Sequence, residues 1–87
     1  MKPDISVVIP VFNESGNITA LHEEVLHVLA DITPHFEVIY IDDASTDTSR
    51  DELNNLRHAT IIVLNRNYGQ ATALDAGFKK AQGDIII

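Results

Sequence analysis

The sequence contains no cysteine in 87 residues, so no disulfide offsets the disadvantage of small size. A chain of this length buries only roughly 60 to 65% of the surface its unfolded form exposes, which predicts one marginally stable domain. Basic residues are scarce as well. Six lysines and arginines stand against 13 aspartates and glutamates, a formal charge of −7. Affinity for a phosphate backbone comes from clustered Lys and Arg, and these six are scattered, which argues against a nucleic-acid partner. No apolar run approaches the roughly 20 residues that span a bilayer. Met1-Lys2-Pro3-Asp4 leads into a short apolar segment with no small-residue cleavage site, so the chain is expected to be cytoplasmic. With 45% hydrophobic and 22% charged residues the balance is that of a folded globular chain.

Several ligand-binding signatures are missing too. No Gly-x-Gly-x-x-Gly follows the first apolar run and no Gly-Lys-Ser/Thr occurs, which removes the dinucleotide fingerprint and the P-loop. Asp43-Ala44-Ser45-Thr46-Asp47 opens like a calcium loop, but Thr48 stands at its turn glycine and Asn54 at its closing glutamate. In His22-Glu23-Glu24-Val25-Leu26-His27 the second histidine comes one residue too late to share a helix face with the first. His35 and His58 stand alone.

What is present is a regular alternation. Ile5 to Ile9 is a β-branched run suited to a strand buried on both faces of a parallel sheet, and Pro10 is expected to end its pairing. Ile18, Leu21, Val25, Val28 and Leu29 recur at helical spacing. Phe36 to Ile41 reads as a second strand closed by Asp42-Asp43. Ser49 and Glu52 suggest a capping box before Leu53 and Leu56. Thr60 to Leu64 makes a third strand. Gln70 to Ala81 makes a third helix with Ala71, Leu74, Phe78 and Ala81 on one face and Gly83 as its stop. Asp84 to Ile87 opens a fourth strand. The order predicts a Rossmann-like, three-layer α/β/α parallel sheet.

Ligands of such sheets bind beyond the carboxyl ends of the strands. There the sequence places Pro10, Phe12 and Glu14 after the first run and Asp42 and Asp43 after the second. A carboxylate accepts a hydrogen bond from a ring N–H of uracil or guanine or from a ribose hydroxyl, while Phe12 offers an apolar wall. An acidic rim repels a bare diphosphate, so a nucleotide-diphosphate ligand implies Mg²⁺ or Mn²⁺ between them. A plainer reading stays open: Asp42 and Asp43 terminate a strand and supply charge to a helix N-terminus, Phe12 is core, and Asn67-Tyr68-Gly69 is an ordinary turn. A receiver-like signalling domain is disfavoured, because Asn65 and Arg66 follow the third strand where its phosphoacceptor aspartate is expected.

Taken together, Val7-Val8-Ile9-Pro10-Val11-Phe12-Asn13-Glu14, Ile41-Asp42-Asp43-Ala44-Ser45-Thr46-Asp47 and Asn65-Arg66-Asn67-Tyr68-Gly69-Gln70 resemble the start of a family 2 glycosyltransferase of GT-A fold. The branch most similar transfers a sugar to dolichyl or undecaprenyl phosphate, through Asn67-Tyr68-Gly69-Gln70 with Ala73 and Gly77. The resemblance implies that residues 1–87 are the N-terminal nucleotide-binding part of such a domain, incomplete in its fourth strand. Pro10 and Phe12 would border the base, Glu14 would meet the ribose or base edge, Asp43 would accept the base N–H, Asp42 would support that loop, and Gln70 would lie near the donor. Ala71, Ala73, Ala76 and Gly77 would let the third helix pack closely. It also implies that the metal-binding Asp-x-Asp segment and the catalytic groups lie beyond residue 87, so the chain alone is not expected to catalyse transfer. The complete enzyme would act on a nucleotide-diphosphate sugar and a polyprenyl phosphate, associated with the cytoplasmic face of a membrane. The alternative is a noncatalytic nucleotide-binding or interaction remnant of the same fold. Self-association through the exposed sheet edge is expected in either case.

Overall fold

The computed structural model describes residues 2–87. Its elements are β1 (Ile5–Val11), α1 (Ile18–Ile32), β2 (Phe36–Asp42), α2 (Ser49–Asn54), β3 (Thr60–Val63), α3 (Gln70–Lys80) and β4 (Ile85–Ile86). The four strands form one sheet in the order β3-β2-β1-β4, with every pair parallel. Strand alternation then sorts side chains into two layers. Ile5, Val11, Val38 and Tyr40 pack with Ile18 and Leu29 of α1 and Leu53 of α2 on one face. Val8, Ile39 and Ile41 pack with Ala73 of α3 on the other. The α/β/α layering expected from the sequence is therefore present. β2 is its spine, since Ile39, Tyr40 and Ile41 are all completely buried; burying an aliphatic side chain of this size stabilises by about 1.5–3 kcal/mol.

Several details depart from the sequence reading. β1 does not stop at Pro10 but pairs through it, Pro10 opposite Ile41 and Val11 opposite Asp42. Backbone groups of a strand alternate in direction, and Val8 N–H points to β4, donating to the Ile87 carbonyl. Pro10 shares that orientation, so its missing N–H costs no bond to β2. In α1, Leu21 and Val28 are exposed and His22 is buried instead. The His22 Nδ1 accepts the Tyr40 hydroxyl at 2.8 Å and its Nε2–H donates to the Arg57 carbonyl at 2.6 Å, which leaves no unpaired ring nitrogen. Burial pushes the Tyr40 hydroxyl up to about 12, so it remains a proton donor to His22.

In α3 the buried residues are Ala73 and Gly77, in keeping with the close packing that the resemblance implies, while Ala71 and Phe78, expected on the packed face, are turned outward. The helix lies too close to the sheet for anything larger: a Cβ on Gly77 would overlap Val8 Cγ1 and come within 2.5 Å of Ile41 Cδ1. Gly83 does not stop the helix, which ends at Lys80 with Ala81 extended. It lies against β1, where a Cβ would stand 2.6 Å from the Ser6 nitrogen.

The last departure matters most for the site. Ser49 and Glu52 do not form a capping box, for the N-cap of α2 is Thr48 and makes no side-chain cap bond. These side chains turn instead to the loop between β1 and α1. Asn13 N–H donates to Ser45 Oγ at 3.0 Å, Glu14 N–H to Ser49 Oγ at 2.9 Å and Ser15 N–H to Asp47 Oδ2 at 3.2 Å. Glu52 accepts Gly16 N–H and Thr19 N–H, each at 2.8 Å, and the Thr19 hydroxyl at 2.9 Å. It thereby caps α1, whose own first turn has no acidic residue and whose Asn17 makes no cap bond. These amide bonds favour the ionised form and hold the Glu52 carboxyl below the usual carboxylate range. Asp47 is held low by its hydrogen bond with the Ser49 side chain, then by the Ser49 and Ser15 amides.

Two outcomes follow for stability. In Gly77→Ala, alanine gains about 1 kcal/mol of helix propensity, but overpacking two buried branched side chains costs about 1–3 kcal/mol. Urea denaturation should therefore show a net loss; a more stable variant would contradict the close packing of α3. Because Asp47 and Glu52 have lowered pKa values in the fold, their contribution is present above the unfolded values near 4 and is lost as pH falls through the folded ones. Glu52→Gln should melt lower than the parent at neutral pH and lose less stability on acidification to about pH 2.5. Coincident acid limbs in thermal melts would show that Glu52 does not serve as the cap.

Candidate functional site

β1 and β2 are neighbours in register, so their carboxyl ends and the loops that follow lie side by side. Beyond those ends opens a cavity of about 380 Å³, within the size range of small-molecule sites. Pro10, Val11, Phe12 and Glu14 line one side, and Asp43, Asn67, Gly69 and Gln70 the other. Five of the six residues singled out from the sequence, Pro10, Phe12, Glu14, Asp43 and Gln70, thus share one space.

Asp42 is the exception. Successive residues of a strand point to opposite faces, and Asp42 is completely buried away from the cavity. Its Oδ1 accepts the Ser45 N–H at 3.2 Å and the Ser45 hydroxyl at 2.5 Å, and its Oδ2 lies 3.3 Å from Arg50 Nε. Ser45 Oγ is the acceptor of the Asn13 amide, so Asp42 acts through Ser45 on the loop that carries Phe12 and Glu14. Its place is support of the rim, and it does not line the cavity.

Asp43 does two things. Only 3% exposed, it accepts Tyr68 N–H on Oδ1 at 2.8 Å and Gly69 N–H on Oδ2 at 2.9 Å. Gly69 is the N-cap of α3 and its φ of 98° belongs to the left-handed region glycine favours. Asp43 is therefore the charge at a helix N-terminus, as the plainer reading held, but the helix is α3 rather than the α2 that follows it in sequence. The residue also lines the cavity. Asn67 adds a long contact of 3.4 Å from Nδ2 to the Asp43 carbonyl.

Two non-glycine residues on the rim are left-handed, Asn13 at φ 53° and Ala44 at φ 58°. Asparagine tolerates this conformation, and Asn13 Oδ1 accepts Thr46 N–H at 2.8 Å. For Ala44 it costs about 1–2 kcal/mol. That turn returns Ser45 to Asp42, and the strain is offset by the bonds made there.

The chemistry of the lining is one-sided. It offers two carboxylates, amide groups from Asn67 and Gln70 and an aromatic wall from the 43% exposed Phe12, with no cationic side chain. Such a space accepts hydrogen bonds from a neutral, N–H-bearing ring or a sugar hydroxyl and repels an isolated phosphate. Metal binding is a different matter: among the described residues no group of three or more His, Cys, Asp or Glu is placed to hold an ion. With both Asp43 oxygens already engaged by amides, the residues present do not form a metal site by themselves.

Val11, Asn67 and Gly69 were not singled out as lining residues from the sequence. The signal was available for the last two, because the rule that ligands sit beyond carboxyl ends applies to the segment after β3 as well.

Comparison with known proteins agrees with this geometry. The Glycosyl transferase family 2 matches residues 6–87. The undecaprenyl-phosphate 4-deoxy-4-formamido-L-arabinose transferase of Pectobacterium carotovorum is 40% identical over 89 residues, covering 97% of this chain and 27% of that protein. The enzyme of the same name from Proteus mirabilis is 41% identical over 88 residues, covering 95% of this chain and 27% of its own length. Among solved structures, the mannosyltransferase PcManGT of Pyrobaculum calidifontis in complex with GDP-Man and Mn²⁺ superposes with a TM-score of 0.73 at 25% identity, over 99% of this chain and 26% of that one. S. aureus TarS 1-349 in complex with UDP-GlcNAc gives 0.71 at 28% identity, over the whole of this chain and 25% of that one. The chain thus spans about a quarter of the length of the proteins it matches. The parallel sheet but for Ile5, the polar loops and the cavity lie within the matched residues, and the chain belongs to glycosyl transferase family 2.

Proposed function

We propose that the cavity holds the nucleoside of a nucleotide-diphosphate sugar, and that the whole protein transfers the sugar from it to a polyprenyl phosphate. The observation that carries the first part is the convergence of Phe12, Glu14 and Asp43 on one cation-free space beyond the carboxyl ends of β1 and β2. Base and ribose present an aromatic face and N–H or O–H donors, which is what that lining accepts. Pro10 and Phe12 border the base, Glu14 and Asp43 accept its ring N–H or a ribose hydroxyl, and Gln70 lies toward the rest of the donor.

The acceptor rests on the relatives: proteins named undecaprenyl-phosphate sugar transferases are 40% and 41% identical to this chain. Transfer would then take place at a membrane, on its cytoplasmic face. Among the described residues no helix is long and apolar enough to cross one. The donor's diphosphate calls for a divalent cation, Mg²⁺ or Mn²⁺, whose ligands belong to the remainder of the whole protein. Charge neutralisation of the departing nucleoside diphosphate is the chemistry that ion supplies. By itself the chain binds the donor and does not catalyse transfer.

Titration of the ¹⁵N-labelled chain with UDP and with GDP in the presence of Mg²⁺ tests this reading. Chemical-shift changes should concentrate on Phe12, Glu14, Asp43 and 67–70, and Glu14→Gln should weaken binding by about 3- to 10-fold, the worth of one partly exposed hydrogen bond. An unchanged spectrum at millimolar nucleotide would contradict the proposal and favour a noncatalytic interaction module.

A further inference from the structure

We infer that Ser49, backed by Asp47, is a positioning residue for Glu14: it grips the Glu14 backbone so that the carboxylate stands in the cavity. This rests on the nucleotide reading of that cavity. Within its own turn the Glu14 carbonyl accepts the Asn17 N–H at 3.1 Å, and its side chain is loosely held. The residue is exposed, and among the described residues the only hydrogen-bond partner of its carboxylate is Asn17 Nδ2 at 3.5 Å, the outer limit of a hydrogen bond. The direction of its side chain is therefore set through the main chain.

The main chain, by contrast, is held firmly at this point. Glu14 N–H donates to Ser49 Oγ at 2.9 Å, and Ser49 is completely buried. The Ser49 amide donates to Asp47 Oδ1 at 2.9 Å while Asp47 Oδ2 accepts the next amide along, Ser15 N–H, at 3.2 Å. One short segment at the start of α2 thus holds two consecutive amides of the loop. The Glu14 N–H is drawn inward to α2, and the residue held there lines the cavity with Phe12 and Gln70. An alanine at 49 would set a methyl group against that N–H. The loop would turn to hydrate the amide, carrying the carboxylate away.

The test is a double-mutant cycle on the full chain, read by titration with UDP or GDP and Mg²⁺, whichever gives the larger response in the parent. Ser49→Ala should weaken binding by about as much as Glu14→Gln, and the double variant should bind no more weakly than Glu14→Gln alone. Asp47→Ala, at an exposed position that leaves the core untouched, should weaken binding in the same non-additive way. Parent-like affinity in Ser49→Ala, or a loss that multiplies with that of Glu14→Gln, would overturn the assignment. If the parent shows no response to nucleotide, the functional reading fails and positioning is decided without ligand. NOEs from the Glu14 side chain to Phe12 and Gln70 should then be present in the parent and lost in Ser49→Ala, and their persistence in that variant would overturn the inference.

Discussion

Backbone amides that cannot be satisfied within their own loop are what the rest of this structure is arranged around. The turn between β1 and α1 carries N–H groups at Asn13, Glu14, Ser15 and Gly16, and the start of α1 adds that of Thr19; none has a helix or sheet partner. An unpaired amide costs free energy wherever water is kept from it. Side chains from the next connection supply the acceptors: Ser45, Ser49, Asp47 and Glu52. Two loops that would otherwise move independently become one polar platform.

Parallel pairing of β1 with β2 makes that arrangement geometrically available, since Val11 lies opposite Asp42 and the chains leave the sheet side by side. The pleat then divides the paired aspartates. Asp42 turns toward Ser45 and Arg50 and stiffens the platform. Asp43 turns the other way and draws the amides of Tyr68 and Gly69 to it, which brings the start of α3 up to the cavity. A single Asp-Asp step therefore ties three loops together. Of the two carboxylates lining the cavity, Asp43 is there as an acceptor for amides and Glu14 is left exposed, and an acidic lining of this kind accepts hydrogen bonds rather than bare phosphate.

Much of this was legible in the sequence. The apolar runs and helical spacings give the strands and helices nearly to the residue, and the polar segments after the runs point to the cavity. What could not be read was the partner of each polar side chain. Ser49 and Glu52 have the spacing of a capping box, but spacing does not say that a neighbouring helix end lies unpaired within reach. Helix faces were misjudged for a related reason. Leu21, Val28 and Phe78 have the hydrophobicity of core residues, yet the sheet area under each helix is limited. His22 takes a buried position because its hydrogen-bonded ring fits there, while Gly77 packs closely as the resemblance implies. Asp43 was seen as a cavity residue, while its hold on Tyr68 and Gly69 depends on a contact 25 residues away in sequence.

Family 2 membership and the similarity to nucleotide-sugar-bound transferases give this platform its context, since the matched residues include all of it. The central physical claim is independent of any ligand and can be measured directly. Amide hydrogen exchange resolved by residue at neutral pH should show Asn13, Glu14, Ser15, Gly16 and Thr19 protected in step with the strands, although none of them has a backbone acceptor. Exchange of these five amides at the rates of an unstructured peptide, with the strands still protected, would contradict it.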